Sequence, residues 1–255
     1  MINTGDDIRA RFGTRTMGAC VHVHDEIDST NLAALRLARA GAVEGTLVLA
    51  RHQTAGRGRL GRGWTDLPGR SLLLTALVAP PTEMQWLVTC AAALALAEGV
   101  DEWLDLPALI KWPNDVMVHD RKVAGVLAEG PAAGLMAVGM GVNVAGRAAE
   151  LPEELRESAG YLSEEAGREL DPEELLGPLL PRLDANCLAL KEGRADELLD
   201  RVRRLDYLVG RRVTVRGARR ELTGEAAGWA DSGALLIRDD AGKVYQFEAG
   251  DVTVR

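Results

Sequence analysis

Cysteine is scarce: Cys20, Cys90 and Cys187 are the only three in 255 residues, and they lie far apart. That number and spacing exclude a disulfide framework and read as reduced thiols in a cytoplasmic protein. Long apolar runs are missing too. The Ala/Leu-rich stretch from Cys90 to Ala97 is the longest, and it falls far short of the ~20 residues needed to cross a bilayer. The start, Met1 to Asp7, lacks the charged-then-apolar pattern of a signal peptide. Positive charge is in deficit: 30 Lys and Arg face 38 Asp and Glu, for a net charge of −8. This argues against a general nucleic-acid or anionic-membrane binder, whose footprint is a basic face. A Gly-Lys-Ser/Thr phosphate loop and a G-x-S-x-G elbow are both absent. His22, His24, His52 and His119 show no metal-ligand spacing with a third ligand.

Against that background the segment from Gln53 to Trp64 stands out. Gly56, Gly58, Gly61 and Gly63 alternate with Arg57, Arg59 and Arg62, directly after the apolar run Thr46 to Ala50. Glycine lets a backbone approach a ligand closely, and guanidinium groups match phosphate and carboxylate bidentately. An acidic chain that concentrates cations on one loop points to a compact anion as target. The loop formally matches G-x-G-x-x-G, but Arg62 to Gly69 is not helical, so the dinucleotide-fold reading fails on context. An arginine/glycine nucleic-acid tail would be terminal and disordered, not set between two buried strands.

Elsewhere the pattern alternates strand and helix. A helix is predicted over Asn31 to Ala40, with Ser29 and Thr30 as caps and Gly41 past its end. Ser71 to Val78 reads as a buried strand and Trp86 to Trp103 as a helix packed through small side chains. Pro113 keeps Trp112 out of helix, so Ile110 to His119 is predicted extended. A turn at Asp120-Arg121 then leads into a strand over Lys122 to Glu129. In a strand over Met136 to Val144, Gly139, Gly141 and Asn143 share one face. A face with two glycines fills no core, so a ligand or another backbone is expected against it. Pro152 to Leu205 reads as helical. From Val209 short strands broken by Asp-Ser-Gly and Asp-Ala-Gly turns suggest a small barrel-like β domain.

Five segments together resemble the ordered motifs of biotin protein ligases: Asp28-Ser29-Thr30-Asn31, Gln53 to Trp64, Lys111-Trp112-Pro113-Asn114-Asp115, Asp120 to Gly125, and Gly139-Met140-Gly141-Val142-Asn143. Each is weak alone; all five in the family's order and spacing are specific. The resemblance implies an α/β fold, a mixed β-sheet flanked by helices that lie on one side, as in class II synthetases. It also implies a catalytic domain over residues 1–205 and an SH3-like β-barrel over residues 206–255. It implies ATP-dependent activation of biotin as biotinyl-5′-AMP, then transfer to a lysine of a biotin carboxyl carrier protein. Lys122, Arg57, Arg59 and Asp115 are the implied catalytic groups. Ser29, Thr30, Asn31, Gln53, Gly56, Gly58, Gly125, Gly139 and Gly141, with Arg57, Arg59 and Lys122, are implied around biotin. Arg57, Arg59, Arg62, Trp64, Asn114, Asp115 and Asn143 are implied around ATP and the adenylate.

No fixed protein metal site is implied; Mg²⁺ accompanies ATP near Asp115. Ser29 follows only 28 residues, too few for the winged helix-turn-helix of bifunctional members, so a monofunctional ligase without DNA or membrane partners is expected. It could be a monomer or a homodimer. Lipoate- or octanoate-protein ligases of related fold are the nearest alternative, followed by a non-catalytic biotin-binding regulator.

Overall fold

The computed structural model describes residues 2–4, 6–218 and 220–255. A short helix, α1 (Ile8–Phe12), buries Ile8 and leads to β1 (Cys20–Ile27). Helix α2 (Thr30–Arg39) connects β1 to β2 (Thr46–Gln53), and these two strands pair in parallel. After the Arg/Gly loop come β3 (Ser71–Val78) and helix α3 (Val88–Leu104). The chain continues as β4 (Leu109–Lys111), β5 (Asp115–Val118), β6 (Arg121–Ala132) and β7 (Leu135–Asn143). These strands form one seven-stranded mixed sheet in the order β1-β2-β3-β7-β6-β5-β4, antiparallel everywhere except β1–β2.

Alternation along the strands sorts the side chains onto two faces. Leu72, Leu74, Ala76 and Val78 of β3, with Val138, Met140 and Val142 of β7, join the main core under α3. Helix α3 reaches them through Ala91, Ala92, Ala93, Ala95 and Ala97, all fully buried. The opposite residues, Val48, Leu77 and Ala137, pack instead against Ala33, Ala34 and Ala38 of α2. Helices therefore cover both faces, not one as the sequence suggested. Helix α2 covers only part of its face: Gly139 of β7 meets Asn31 in the first turn of that helix, and Gly141 meets Trp64 instead.

Helices α4 (Leu162–Ala166), α5 (Leu176–Lys191) and α6 (Ala195–Arg204) follow. Asp184 on α5 accepts backbone hydrogen bonds from Arg15, Thr16 and Met17 at 2.7–2.9 Å, tying the segment after α1 to the core. The chain then passes Leu205 to Tyr207 beside β4. It enters a second sheet of β8 (Arg212–Arg216), β9 (Glu221–Trp229), β10 (Leu235–Arg238), β11 (Val244–Phe247) and β12 (Asp251–Val254). This sheet is antiparallel throughout, in the order β11-β10-β9-β8-β12.

Three local expectations change. Trp86 lies in a 3₁₀ turn over Thr82–Leu87 ahead of α3. The predicted extended run from Ile110 is broken at Trp112–Asn114, so that Lys111 on β4 pairs with Asp115 on β5. The hairpin turn into β6 is His119–Asp120, both at positive φ (45° and 65°), and Arg121 already belongs to the strand. Two consecutive positive φ values mark the mirror-image turn whose twist matches that of paired strands.

Candidate active site

The Arg/Gly loop closes on itself. Trp64 N–H donates to the Gly56 carbonyl at 3.0 Å and Gly58 N–H to the Arg62 carbonyl at 2.8 Å, with Arg57 bridged to Gly63. Leu60 forms the exposed tip at φ 56°. Folded this way, the loop lies over the uncovered part of the sheet and encloses a pocket of about 280 Å³.

At one end of the pocket the groups are polar and neutral. Gln53 Oε1 accepts from the Thr30 backbone N–H (2.8 Å) and the Thr30 hydroxyl (3.0 Å). It thus serves the start of α2 in place of Ser29, whose side chain makes no capping bond although Ser29 occupies the cap position. Asp66 holds Gln53 by accepting its backbone N–H at 3.3 Å, and lies 3.0 Å from His52. Thr75 contacts the Thr30 hydroxyl and Asn31 Oδ1 at 2.8 and 2.7 Å. Asn31 Nδ2 donates to the Leu127 carbonyl and to Glu129 (3.1 and 2.9 Å), and Glu129 pairs with Arg57 at 2.9 Å. A continuous polar chain thus runs from Gln53 to the arginine loop, fixing the rotamers of buried groups that would otherwise be costly to leave unpaired.

The middle of the pocket is the glycine face. A Cβ on Gly141 would lie 2.5 Å from the Trp64 indole, and one on Gly125 3.2 Å from Lys122 Nζ and 3.3 Å from Trp64. On Gly139 it would overlap the Asn31 carboxamide. The face expected to take a ligand or a backbone is thus covered by the chain's own Trp64 and Asn31 side chains. The Trp64 indole N–H is buried there without a hydrogen-bond partner among the described residues.

The far end is cationic. Lys122 Nζ sits 2.7 Å from Asp115 Oδ1 and 5.8 Å from the Trp64 ring centroid. Asn114 fixes Arg59 by accepting from Nη1 at 3.1 Å while donating to the Val126 carbonyl at 2.8 Å. Burial pulls the Arg59 guanidinium below its ordinary value, and Asp115 and Asp251 push it back up. Burial lowers Lys111 too, against the pull of Asp115; Lys122 and Arg62 add to the lowering and Asp251 opposes it. The second sheet closes this end with Arg216 and Gly250 to Thr253, and Arg62 pairs with Asp251.

Of the residues predicted from sequence, Ser29, Thr30, Asn31, Gln53, Arg57, Gly58, Arg59, Arg62, Trp64, Asn114, Asp115, Lys122, Gly125, Gly139 and Gly141 meet in this pocket. Gly56 lies at the loop base, packed on the Trp64 backbone. Asn143 is buried behind the site, donating to the Gly160 carbonyl at 3.2 Å. Sequence reading missed Lys111 and the second-sheet residues as lining groups, and Thr75, Glu129 and Asp66 as positioning groups. Thr75 carried a faint signal, as a polar residue inside the apolar run Leu72 to Val78.

The comparisons with known proteins agree with this geometry. Residues 23–143 match the biotin/lipoate A/B protein ligase family, and residues 208–255 match the biotin protein ligase C-terminal domain. The chain is 31% identical over 252 residues to the bifunctional ligase/repressor BirA of Bacillus subtilis, covering 92% of this chain and 75% of that protein. It is 33% identical over 232 residues to the biotin–[acetyl-CoA-carboxylase] ligase of Mycobacterium tuberculosis, covering 88% and 85%. Among solved structures, the biotin protein ligase of Aquifex aeolicus in complex with biotin and ATP superposes with a TM-score of 0.80 at 32% identity, covering 92% of this chain and 98% of that one. This chain belongs to the biotin protein ligases, within the biotin/lipoate A/B protein ligase family.

Proposed function

We propose that the protein is an ATP-dependent biotin protein ligase whose acceptor is the carrier domain of a carboxylase such as acetyl-CoA carboxylase. The observation that carries this reading is the gradient along one pocket: neutral hydrogen-bonding groups at Thr30 and Gln53, a glycine face in the middle, and fixed cations at Lys122 and Arg59. A ureido ring, an aliphatic chain and a carboxylate follow the same order.

In the first step a biotin carboxylate oxygen attacks the α-phosphorus of ATP, and the bond to pyrophosphate breaks. Two anions must be brought together, so positioning and charge neutralisation dominate. Lys122 and Arg59 carry that charge, with Asp115 and Asn114 holding them in place. Asn31, Ser29, Thr30 and Gln53 suit the ureido end, which favours biotin over a dithiolane or an alkyl chain. Arg57, Arg62 and Trp64 lie on the loop that closes over the adenylate and keeps out water.

Among the described residues no three His, Cys, Asp or Glu side chains gather as a metal site. Asp115 is the pocket carboxylate paired with Lys122, and a magnesium ion that takes most of its ligands from phosphate and water fits that donor set. When bound with the nucleotide it would neutralise phosphate charge. A catalytic unit to residue 205 and an SH3-like unit from 206 are supported by the separate second sheet, whose first strand is Arg212–Arg216. Among the described residues no helix is long and apolar enough to cross a membrane.

The test is pyrophosphate release from MgATP with biotin, lipoate, octanoate or no acid, followed by mass analysis of a carrier domain. Release with biotin alone and a matching mass gain on one lysine are expected. Release with lipoate or octanoate instead would reassign the substrate. Tight biotin binding without release would make the protein a regulator.

A further inference from the structure

Activation of the acid is served by the pocket described above, but that pocket is a poor entrance for the amine. Its lining sets six cations against two carboxylates, and it is filled by the adenylate when the amine must arrive. A second cavity, of about 510 Å³, adjoins it and shares Arg59, Trp112, Pro113, Val126 and Leu127 with it. This cavity opens along the seam between the two sheets. Its walls include the indoles of Trp86, Trp112 and Trp229, with Arg59 where it meets the first pocket and the exposed Glu248 at its rim.

The seam is built around Gly233, in the turn between β9 and β10. Trp112 Nε1 donates to the Gly233 carbonyl at 3.0 Å, and a Cβ at Gly233 would overlap the Trp86 ring. Trp86 nonetheless stays 43% exposed, while Trp112 and Trp229 are buried at 3% and 4%. The buried Trp229 indole N–H faces the Asp206 carboxyl group.

We propose that this three-tryptophan cavity is the port through which the acceptor lysine of the carrier protein reaches the activated acyl carbon. The proposal rests on the ligase reading and adds the route of the second substrate. Its chemistry suits a lysine, a cation at the end of an apolar stem. Glu248 attracts the ammonium at the rim, and indole faces accept both an ammonium and its methylenes. Inside, the aromatic walls strip water from the charge and favour the neutral amine. The ammonium first gives one proton to water. The amine nitrogen then attacks the acyl carbon, the carbon–oxygen bond to AMP breaks, AMP leaves with that electron pair, and the second proton goes to water.

The test uses the full chain and three readouts: biotin-dependent pyrophosphate release, biotin transfer to an isolated carrier domain, and capture of the adenylate by hydroxylamine, a small neutral nucleophile. Glu248→Lys and Trp86→Ala are expected to leave pyrophosphate release and hydroxylamine capture within twofold of the parent. Both should lower kcat/KM for the carrier domain by roughly tenfold or more, in keeping with truncation of an aromatic or charged contact at an interface. Unchanged transfer to the carrier in both variants would overturn the port, as would equal slowing of carrier and hydroxylamine. If Trp86→Ala also slows pyrophosphate release by loosening the seam, Glu248→Lys decides. A parent protein that releases no pyrophosphate with biotin would refute the ligase reading, an outcome separate from failure of the port.

Discussion

Replacing Lys122 by alanine removes the cation closest to Asp115, at 2.7 Å. A unit charge about 4 Å from a phosphate oxygen is worth about 4 kcal/mol at an effective dielectric constant near 20. That sets a ceiling, since part of the attraction is already present in the ground state. Loss of one well-placed charge-stabilising group typically costs on the order of 10²–10³ in rate, which lies just under the ceiling. The structure adds a second contribution: without Lys122, the Asp115 carboxylate faces the incoming anions uncompensated. Lys122→Ala should therefore be slower than Lys122→Ala/Asp115→Asn, so the pair should not be additive. Stability should change little, because the two side chains are 34% and 23% exposed and the pair is partly screened. Rapid-quench measurement of pyrophosphate release in a single turnover, beside thermal melting, tests all three statements. An adenylation rate within threefold of the parent would show that the lysine is not at the reacting oxygens.

Biotin should displace the Trp64 indole from Gly141 and Gly125, changing tryptophan fluorescence and slowing hydrogen exchange across His52 to Trp64; Trp64→Phe should remove most of the fluorescence change, and exchange unaltered by biotin would count against the loop as a lid. Of the three thiols, Cys20 alone is exposed, whereas burial pushes Cys90 and Cys187 up to about 12. Ellman's reagent should accordingly titrate one thiol in the native protein and three after denaturation. Lys111 lies below the ordinary lysine value chiefly through burial, so it loses its charge as pH rises at a lower pH than a free lysine. Adenylation should fall on the alkaline side correspondingly early, and Lys111→Arg should move that limb upward; coincident profiles would remove Lys111 from the reaction.

What could be read from the chain alone depended on whether the causes were local. The motif residues were legible because backbone chemistry fixes them: Gly139 and Gly141 alternate on a strand, and the arginines share one short loop. The hairpin into β6 was legible to within one residue, since a two-residue turn with positive φ tolerates Asp120 but gives no sign that His119 begins it. Lys111 was not singled out for the site, because Arg62 and Asp251 share its end of the pocket only once the loop and the second sheet have folded over β4. Glu129 and Thr75 act through contacts with Asn31, made only when α2 docks on β3 and β7. The occupation of the glycine face by Trp64 was hidden for the same reason: the pattern announces an empty face, and only the folded loop says what fills it.

The loop arginines do not wait as bare cations. Arg57 already holds Glu129 and Arg62 already holds Asp251, so an arriving anion trades places with a carboxylate. Binding then depends on a difference between two ion pairs, each with a guanidinium still largely in water. A small monovalent anion such as chloride or acetate gains almost nothing from such a trade. A triphosphate, with several charges to offer both arginines at once, gains a great deal. If these arginines take the nucleotide as proposed, Glu129 and Asp251 hold their places until it comes.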